Sequence, residues 1–444
     1  MVRTRPAELG ACLPRHGLWE RATARDRRRV FRGPGTAVSV LGRRAAVWVF
    51  LPFAAAYFLA ALLRAVTATL APTLAEAFSL GAADLGLLSG GYFLGFAITQ
   101  LPLGHWLDRH GPRRVLLSFL GMAVLGCGVF ALATGFTGLL VGRVLFGAGV
   151  SACLMAPLTG FRRWYSPAAQ LRANAWMLMT GSLGMVASTL PVQWLLPVMG
   201  WRALFWGIAA MVLLSGAWIA LAVPGWNRPS PAAQWLPADH DTSGYAVVWR
   251  HPYFRRVAPM GFFTYGGMVA MQTLWAGPWM QRVAHYSELE AATGLFWINV
   301  SMLCTFGAWG LLGPWMARHR IDVNRVMARG LPFSLCVLLA ILVLGPQAGS
   351  AAWALYCVSC TVMALSLPAV AAAFDVRVAG RALSAYNLVV FGGVFVLQWG
   401  IGLAVDGFLA AGLDVLGAFR AALGLYLLCN LLAWLWFLRK PAQP

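Results

Sequence analysis

The sequence predicts an all-α membrane protein whose twelve transmembrane helices form two pseudo-symmetric bundles of six. The first observation is composition, since 60% of the 444 residues are hydrophobic and only 11% are charged. Soluble domains carry roughly 25% charged residues. The second observation is that twelve apolar runs reach the length of about 20 residues that crosses a bilayer as a helix. The third is an internal repeat.

The twelve apolar runs follow one another along the chain with short connections. The connection at residues 135–138 is so short that the helices on either side of it must run antiparallel. The predicted spans are residues 46–71, 84–106, 115–135, 138–160, 173–198, 203–224, 257–281, 291–315, 327–345, 351–373, 383–407 and 417–437.

The longest polar interruption, residues 225–256, is predicted to be a cytoplasmic linker between the two bundles. The N-terminal bundle then covers residues 46–224 and the C-terminal bundle residues 257–438. Residues 1–45 form a basic cytoplasmic tail with eleven arginines, and residues 439–444 form a short C-terminal tail. Contact of the basic tail with anionic lipid and a translation start near residues 38–40 remain equally open.

The repeat that supports this division follows the second and the eighth runs. The first copy is Gly104-His-Trp-Leu-Asp-Arg-His110 and the second is Gly313-Pro-Trp-Met-Ala-Arg-His319. Gly, Trp, Arg and His match in place. Because the copies share their position in the hydropathy pattern, gene duplication explains them best.

The distribution of positive charge predicts the orientation. With a cytoplasmic N-terminus, the cytoplasmic segments hold 29 of the 34 basic residues and the external connections hold three. Positively charged loops stay in the cytoplasm, so both termini are expected there, in the inner membrane of a bacterium. The net charge of +20 is spread between apolar runs rather than gathered on one face. This distribution argues against a nucleic-acid partner.

A motif at the end of the second run carries a family resemblance. It reads Gly104-x-x-x-Asp108-Arg109-x-Gly111-x-Arg113-Arg114. Glycine permits a tight turn there. The motif resembles the signature of the major facilitator superfamily, whose members have twelve helices in two similar halves. A second family pattern, Leu139-x-x-x-Arg143-x-x-x-Gly147-x-Gly149, lies in the fourth run.

The resemblance implies roles for these motif residues. In that family the signature Asp lies against the N-terminus of helix eleven, so Asp108 is expected to hold the cytoplasmic side closed. A carboxylate at a helix N-terminus gains about 0.3–1 kcal/mol. The alternative is that the motif charges only set topology. In the second half, Ala317 stands at the Asp position, which puts a matching contact there in doubt.

Arg64 is the charged residue that the pattern singles out, since it lies within the first apolar run. An arginine at the bilayer centre costs about 2.5–3.5 kcal/mol on insertion scales, so it should face the interior and find an anion. None of the fourteen acidic residues lies near the middle of a run. The simplest counter-ion is therefore the substrate. The alternatives are that Arg64 snorkels outward or bonds to backbone carbonyls.

The first run also resembles that of the organophosphate and organic-anion branches of the superfamily, where an Arg eight residues before a Pro binds the anionic group. Arg64 and Pro72 fit this spacing. The organophosphate branch uses a second Arg in helix seven, but residues 257–281 contain none. A single positive charge favours a monoanionic carboxylate over a phosphate dianion.

Arg143 is the other arginine within an apolar run. The resemblance makes it a candidate for proton transfer or gating, whereas the simpler interpretation is an anchor that snorkels to the interface. Polar residues of other runs could complete a substrate cavity, although most such groups bond to neighbouring helices. The candidates are Tyr92, Tyr265, Gln272, Asn299 and Asn387.

These observations predict a secondary active transporter that carries a small organic anion, preferably a carboxylate, by alternating access. The protein is expected to be a monomer without a cofactor, and co-transport of a proton is open. One alternative is an exporter of amphiphilic compounds, which the missing helix-five antiporter signature disfavours. Another is a non-transporting membrane sensor of the same fold. An enzyme is not expected, because the sequence offers no nucleophile–base pair, metal ligand set or phosphate-binding loop.

Overall fold

The computed structural model describes residues 41–225 and 245–439. Most of the predicted basic tail, residues 226–244 of the predicted linker and residues 440–444 lie outside the described residues. Every regular element within the described ranges is helical.

The N-terminal half contains six long helices. The segment Ala82–Ala131 is divided at Gly111, and the segment Leu190–Ala222 is divided at Gly200. The six helices are α1 (Arg43–Phe78), α2 (82–110), α3 (112–131), α4 (Phe136–Trp164), α5 (167–199) and α6 (201–222).

Helix α5 continues past an irregularity at residues 188–189. Thr69, nine residues before the end of α1, donates a hydrogen bond to the carbonyl of Ser188 at 2.9 Å. Trp201 packs on Phe78 at that end of α1, with 6.0 Å between ring centroids. Residues 190–199 must therefore extend α5 towards the end of α1, and α6 returns.

The two dividing glycines reverse the chain. Gly111 has φ 78° and Gly200 has φ 72°, and both conformations are accessible to glycine at little cost. Gly111 belongs to the signature motif, so its predicted tight turn is present.

The C-terminal half also contains six long helices, preceded by a short helix at Ala246–Arg250. Helix α7 contains two π turns, Gly261–Tyr265 and Met271–Trp275, and α10 contains a 3-10 turn at Thr361–Leu365. The six helices are α7 (252–282), α8 (Glu288–Arg318), α9 (Val323–Leu344), α10 (Ser350–Ala372), α11 (Val376–Ala410) and α12 (Val415–Leu438).

The twelve helices of the described ranges confirm the predicted fold class. Ten of the described helices are long and apolar enough to cross a membrane. The irregular helices α5 and α7 complete the set. We call the face that holds Leu41 and Arg439 the terminal face, and the face that holds the connections α1–α2 and α11–α12 the distal face.

Equivalent contacts in the two halves agree with the internal repeat. Arg202, at the start of α6, donates a hydrogen bond to the carbonyl of Ala133 at 3.1 Å, just after α3. Arg420, near the start of α12, donates to the carbonyls of Leu342 and Val343 at 2.7 and 3.0 Å, near the end of α9. An arginine thus caps the C-terminal end of the third helix in each half.

The halves meet along α2 and α11, which run antiparallel. A Cβ atom on Gly86 would lie 2.3 Å from the carbonyl oxygen of Gln398, and one on Gly402 would lie 2.3 Å from that of Ala82. The two backbones are therefore in direct contact, as small residues permit between membrane helices. This seam holds the two halves of the candidate site together.

Candidate functional site

Arg64 of α1 lies at the interface between the two halves. Its side chain is half-buried. The guanidinium carbon lies 5.7 Å from the ring centroid of Phe96 on α2 and 5.9 Å from that of Phe391 on α11. The two rings are also in contact, with 4.5 Å between their centroids. One aromatic ring from each half therefore packs against the same cation.

Three tyrosines are the electrostatic neighbours of this guanidinium: Tyr57, Tyr92 and Tyr265. The Tyr92 hydroxyl donates to the carbonyl of Ala60 at 3.3 Å, which fixes the ring beside α1. Tyr265 closes the first π turn of α7. π turns are frequent at functional sites because they shift side chains out of the regular helical register.

Arg64 has no fixed counter-ion among the described residues. No described carboxylate lies within 4.0 Å of it, and its Nε atom is buried without a hydrogen-bond partner. A buried donor without an acceptor costs about 1–3 kcal/mol. The site therefore offers a cation with unused hydrogen-bonding capacity, held between aromatic rings.

Arg143 has a different environment from Arg64. It is fully buried on α4, and it donates from Nε to the carbonyl of Leu88 at 3.3 Å and from Nη1 to that of Leu63 at 3.0 Å. The rings of Tyr92 and Phe146 flank its guanidinium at 5.7 and 5.1 Å. Full burial excludes the snorkelling interpretation. Arg143 instead ties α4 to α1 and α2.

The predicted polar residues of the C-terminal half divide into two groups. Tyr265 reaches the surroundings of Arg64, as described above. Gln272 and Asn299 are buried and bind each other, with Gln272 Nε2 donating to Asn299 Oδ1 at 2.8 Å. Asn387 is half-buried on α11, one helical turn before Phe391. The roles of these residues in binding substrate stay predictions.

The signature motif lies on the terminal face around the turn at Gly111. Arg113 is half-buried, whereas Arg109 and Arg114 are exposed. A Cβ atom on Gly104 would meet no atom within 4 Å. The side chain of Asp108 lies outside the described parts of the structure, so its expected contact with the N-terminus of α11 also stays a prediction.

Three aromatic neighbours of Arg64 were not predicted from the sequence. Tyr57 precedes Arg64 by seven residues, and such spacing places both side chains on one face of a helix. Phe96 and Phe391 each follow a predicted residue, Tyr92 and Asn387, by four positions. Helical spacing from these residues was thus the available signal, although it does not distinguish a site residue from a core residue.

The described ranges contain no candidate metal site. No group of three or more His, Cys, Asp or Glu side chains there could hold an ion. Cys357 and Cys360 are free thiols buried one helical turn apart in α10.

The chain resembles known transporters. A model of the Major Facilitator Superfamily matches residues 53–398. The probable L-galactonate transporter of Escherichia coli is 27% identical over 154 residues, which are 34% of this chain and 33% of that protein. The 4-hydroxybenzoate transporter PcaK of Acinetobacter baylyi is 31% identical over 157 residues, which are 34% of this chain and 32% of that protein. The chain thus matches about a third of the length of these curated relatives.

A solved structure shares the fold over nearly the whole chain. It is the crystal structure of a bacterial homologue of the human lysosomal transporter Spinster in an inward-facing, occupied conformation. The TM-score is 0.70 at 17% identity, and the alignment covers 89% of this chain and 97% of that one.

Proposed function

The chain belongs to the Major Facilitator Superfamily, and on that premise we propose that it is a secondary active transporter of small organic anions, with a monocarboxylate as the preferred substrate. The observation that carries the proposal is the half-buried guanidinium of Arg64, which lies between the halves without a described carboxylate partner. The distal face is taken as external, in accord with the positive charge on the connections of the terminal face.

The chemistry of Arg64 supports a carboxylate substrate. A guanidinium presents a planar fork of donors that matches a carboxylate through two parallel hydrogen bonds. A bound anion would supply the acceptor that the buried Nε atom lacks. Charge-assisted hydrogen bonds of this kind are about twice as strong as neutral ones.

The aromatic lining supports a substrate with an apolar or ring-shaped body. Phe96 and Phe391 would pack against that body, while the three neighbouring phenols could bind its oxygens. The two curated relatives described above transport, by name, L-galactonate and 4-hydroxybenzoate, and both are carboxylates. Of these two, the aromatic acid fits the rings beside Arg64 better.

The position of the rings also supports alternating access. Phe96 belongs to the N-terminal half and Phe391 to the C-terminal half, so a ligand on Arg64 would touch both. Only a ligand with different affinities for two states shifts the equilibrium between them. Contact with both halves gives the substrate such a difference, because those contacts are complete only when the halves are close.

The proposal is tested by ligand-induced thermal stabilisation and by uptake into proteoliposomes. The panel pairs benzoate with benzamide and galactonate with galactose, and it includes a sugar phosphate. The native protein should prefer each carboxylate to its neutral analogue. Arg64→Ala should weaken carboxylate binding about 10- to 100-fold, since a hydrogen bond to a charged group contributes about 1.5–3 kcal/mol.

Two further variants make the test specific. Arg64→Lys should bind carboxylates more weakly than the native protein but better than Arg64→Ala, because it keeps the charge and loses the planar fork. Arg282→Ala, which removes an exposed arginine at the end of α7, should behave as the native protein. Undiminished preference for anions in Arg64→Ala would overturn the assignment.

A further inference from the structure

A carboxylate of one half binds the N-terminus of a helix of the other half at the distal face. Asp406, near the end of α11, is half-buried. Its Oδ1 accepts a hydrogen bond from the amide of Ala82 at 3.1 Å, and its Oδ2 accepts one from the amide of Ala83 at 2.7 Å. These amides belong to the first turn of α2.

The N-terminus of α2 is suited to this contact. The first amides of a helix lack partners within it, and the helix dipole adds partial positive charge. Asp84 of α2 satisfies the amide of Gly81 at 3.2 Å, and Asp406 satisfies the next two. A Cβ atom on Gly81 would lie 2.9 Å from Asp406 Oδ2, so glycine leaves room for the carboxylate.

A second polar contact joins the halves at the same face. Gln193, in the last part of α5, donates from Nε2 to Oε2 of Glu288 at the start of α8, at 3.2 Å. The repeat relates α5 to α11 and α8 to α2, so this contact is the counterpart of the Asp406 contact. Among the side chains that the structure describes, which exclude Asp108 and residues 376–377, three hydrogen bonds join the halves, and all three lie at the distal face.

The Asp406 contact lies at the end of the seam that leads to Arg64. Along α2 and α11, Gly86 contacts Gln398, Gly90 contacts Phe395, and Phe93 packs on Phe391. Asp406 is fifteen residues beyond Phe391, which is about 22 Å along a helix. Separation of α2 from α11 at the distal end of this seam would break the Asp406 contact.

We propose that Asp406 is a gating residue whose carboxylate holds the distal face closed by capping α2, and that its release admits or discharges the substrate on that side. The proposal rests on the transport function above. Asp108 lies near the C-terminal end of α2, and Asp406 lies near the C-terminal end of α11. Because the two helices are antiparallel, each of these ends is beside the N-terminus of the other helix. The Asp406 cap would form when the distal side is closed and the predicted Asp108 cap when the terminal side is closed.

The test measures the distance between the halves at the distal face without substrate. Spin labels at Thr134→Cys and Gln347→Cys, both exposed, report on the N-terminal and C-terminal halves in a background whose eight native cysteines are replaced. Asp406→Asn should raise the ratio of distal-open to distal-closed protein about two- to fivefold, the size of one charge at a helix N-terminus. Asp406→Ala should raise it at least as much.

The matched control is Asp414→Asn. Asp414 is an exposed carboxylate on the same face that accepts a hydrogen bond from Gly417 of its own helix α12 at 3.0 Å. This variant should keep the native distance distribution. An unchanged distribution in Asp406→Asn, or an equal shift in Asp414→Asn, overturns the proposal.

Two measurements separate this proposal from its premise. If Asp406→Asn does not fold, Gly81→Ala serves instead, because its added methyl group displaces the carboxylate without removing the charge. Gly81→Ala should open the distal face to a similar extent. A native distance distribution between the labels in that variant contradicts the proposal. If anion preference survives in Arg64→Ala while Asp406→Asn still opens the distal face, the substrate assignment alone fails. If anion preference is lost in Arg64→Ala while Asp406→Asn keeps the native distance distribution, only the gating role of Asp406 fails.

Discussion

Arg64 and Arg143 lie close together, because Arg143 binds the carbonyl of Leu63, the residue before Arg64. Their surroundings differ, and so do the roles that they support. Arg143 is fully buried and has two backbone acceptors, so its charge holds three helices together. Arg64 is half-buried and has an unpartnered donor, so its charge is available to a ligand. The Nη2 atom of Arg143 is also buried without a partner, so at the residue scale the two arginines differ in burial and in the two backbone acceptors of Arg143, not in complete hydrogen-bond satisfaction.

Arg143→Gln should therefore act on stability first. The variant loses the hydrogen bonds to Leu63 and Leu88, and each bond from a charged donor is worth about 1.5–3 kcal/mol. We expect a lower Tm in detergent and a weaker substrate affinity, since the turn of α1 before Arg64 loses its support. Arg282→Gln is the control for loss of an exposed arginine. A native Tm in Arg143→Gln would refute the role of Arg143 in holding α4 to α1 and α2.

At the scale of the element, glycines determine how closely the two halves approach. Gly86 and Gly402 bring the backbones of α2 and α11 into contact, whereas Gly407 on the same helix α11 has no neighbour within 4 Å of an added Cβ atom. Because van der Waals packing drives the association of helices in lipid, the seam depends on the absence of a side chain at the first two positions.

Gly402→Ala should separate the halves at the distal face. The added methyl group would lie 2.3 Å from the Ala82 carbonyl oxygen, and overpacking of this kind costs about 1–3 kcal/mol. A lower Tm and a longer distance between labels at Thr134→Cys and Gln347→Cys are expected. Gly407→Ala should leave both values unchanged, and equal effects of the two substitutions would contradict the proposed seam.

At the scale of the whole molecule, the two halves share equivalent helices and equivalent contacts, but the contacts between the halves differ in strength. Arg202 and Arg420 cap equivalent helices, and Gln193 and Asp406 make equivalent contacts between the halves. The contacts differ in strength, since Asp406 binds two amides whereas Gln193 binds the exposed Glu288. The α2–α11 side should therefore dominate closure of the distal face.

The predicted counterpart at the terminal face is Asp108, and Asp108→Asn should slow turnover while affinity stays near native. Loss of one charge at a helix N-terminus changes the balance between states about two- to fivefold. Uptake into proteoliposomes measures turnover, and ligand-induced stabilisation measures affinity. Asp322→Asn is the control, because Asp322 caps its own helix α9 on the same face. Native turnover in Asp108→Asn would contradict the gating role.

The sequence by itself determined the twelve helices and the turn at Gly111. Both follow from local requirements, since each span must satisfy its own backbone hydrogen bonds in lipid and a positive φ favours glycine. The sequence also identified Arg64 as a candidate site residue, because a charged residue inside an apolar run is rare. The tertiary structure alone decided which groups meet that charge, namely Phe96 from one half and Phe391 from the other. It likewise placed Asp406 on the N-terminus of α2, across 324 residues. Such contacts depend on how helices far apart in the chain pack, and that packing leaves no periodic trace in a single sequence.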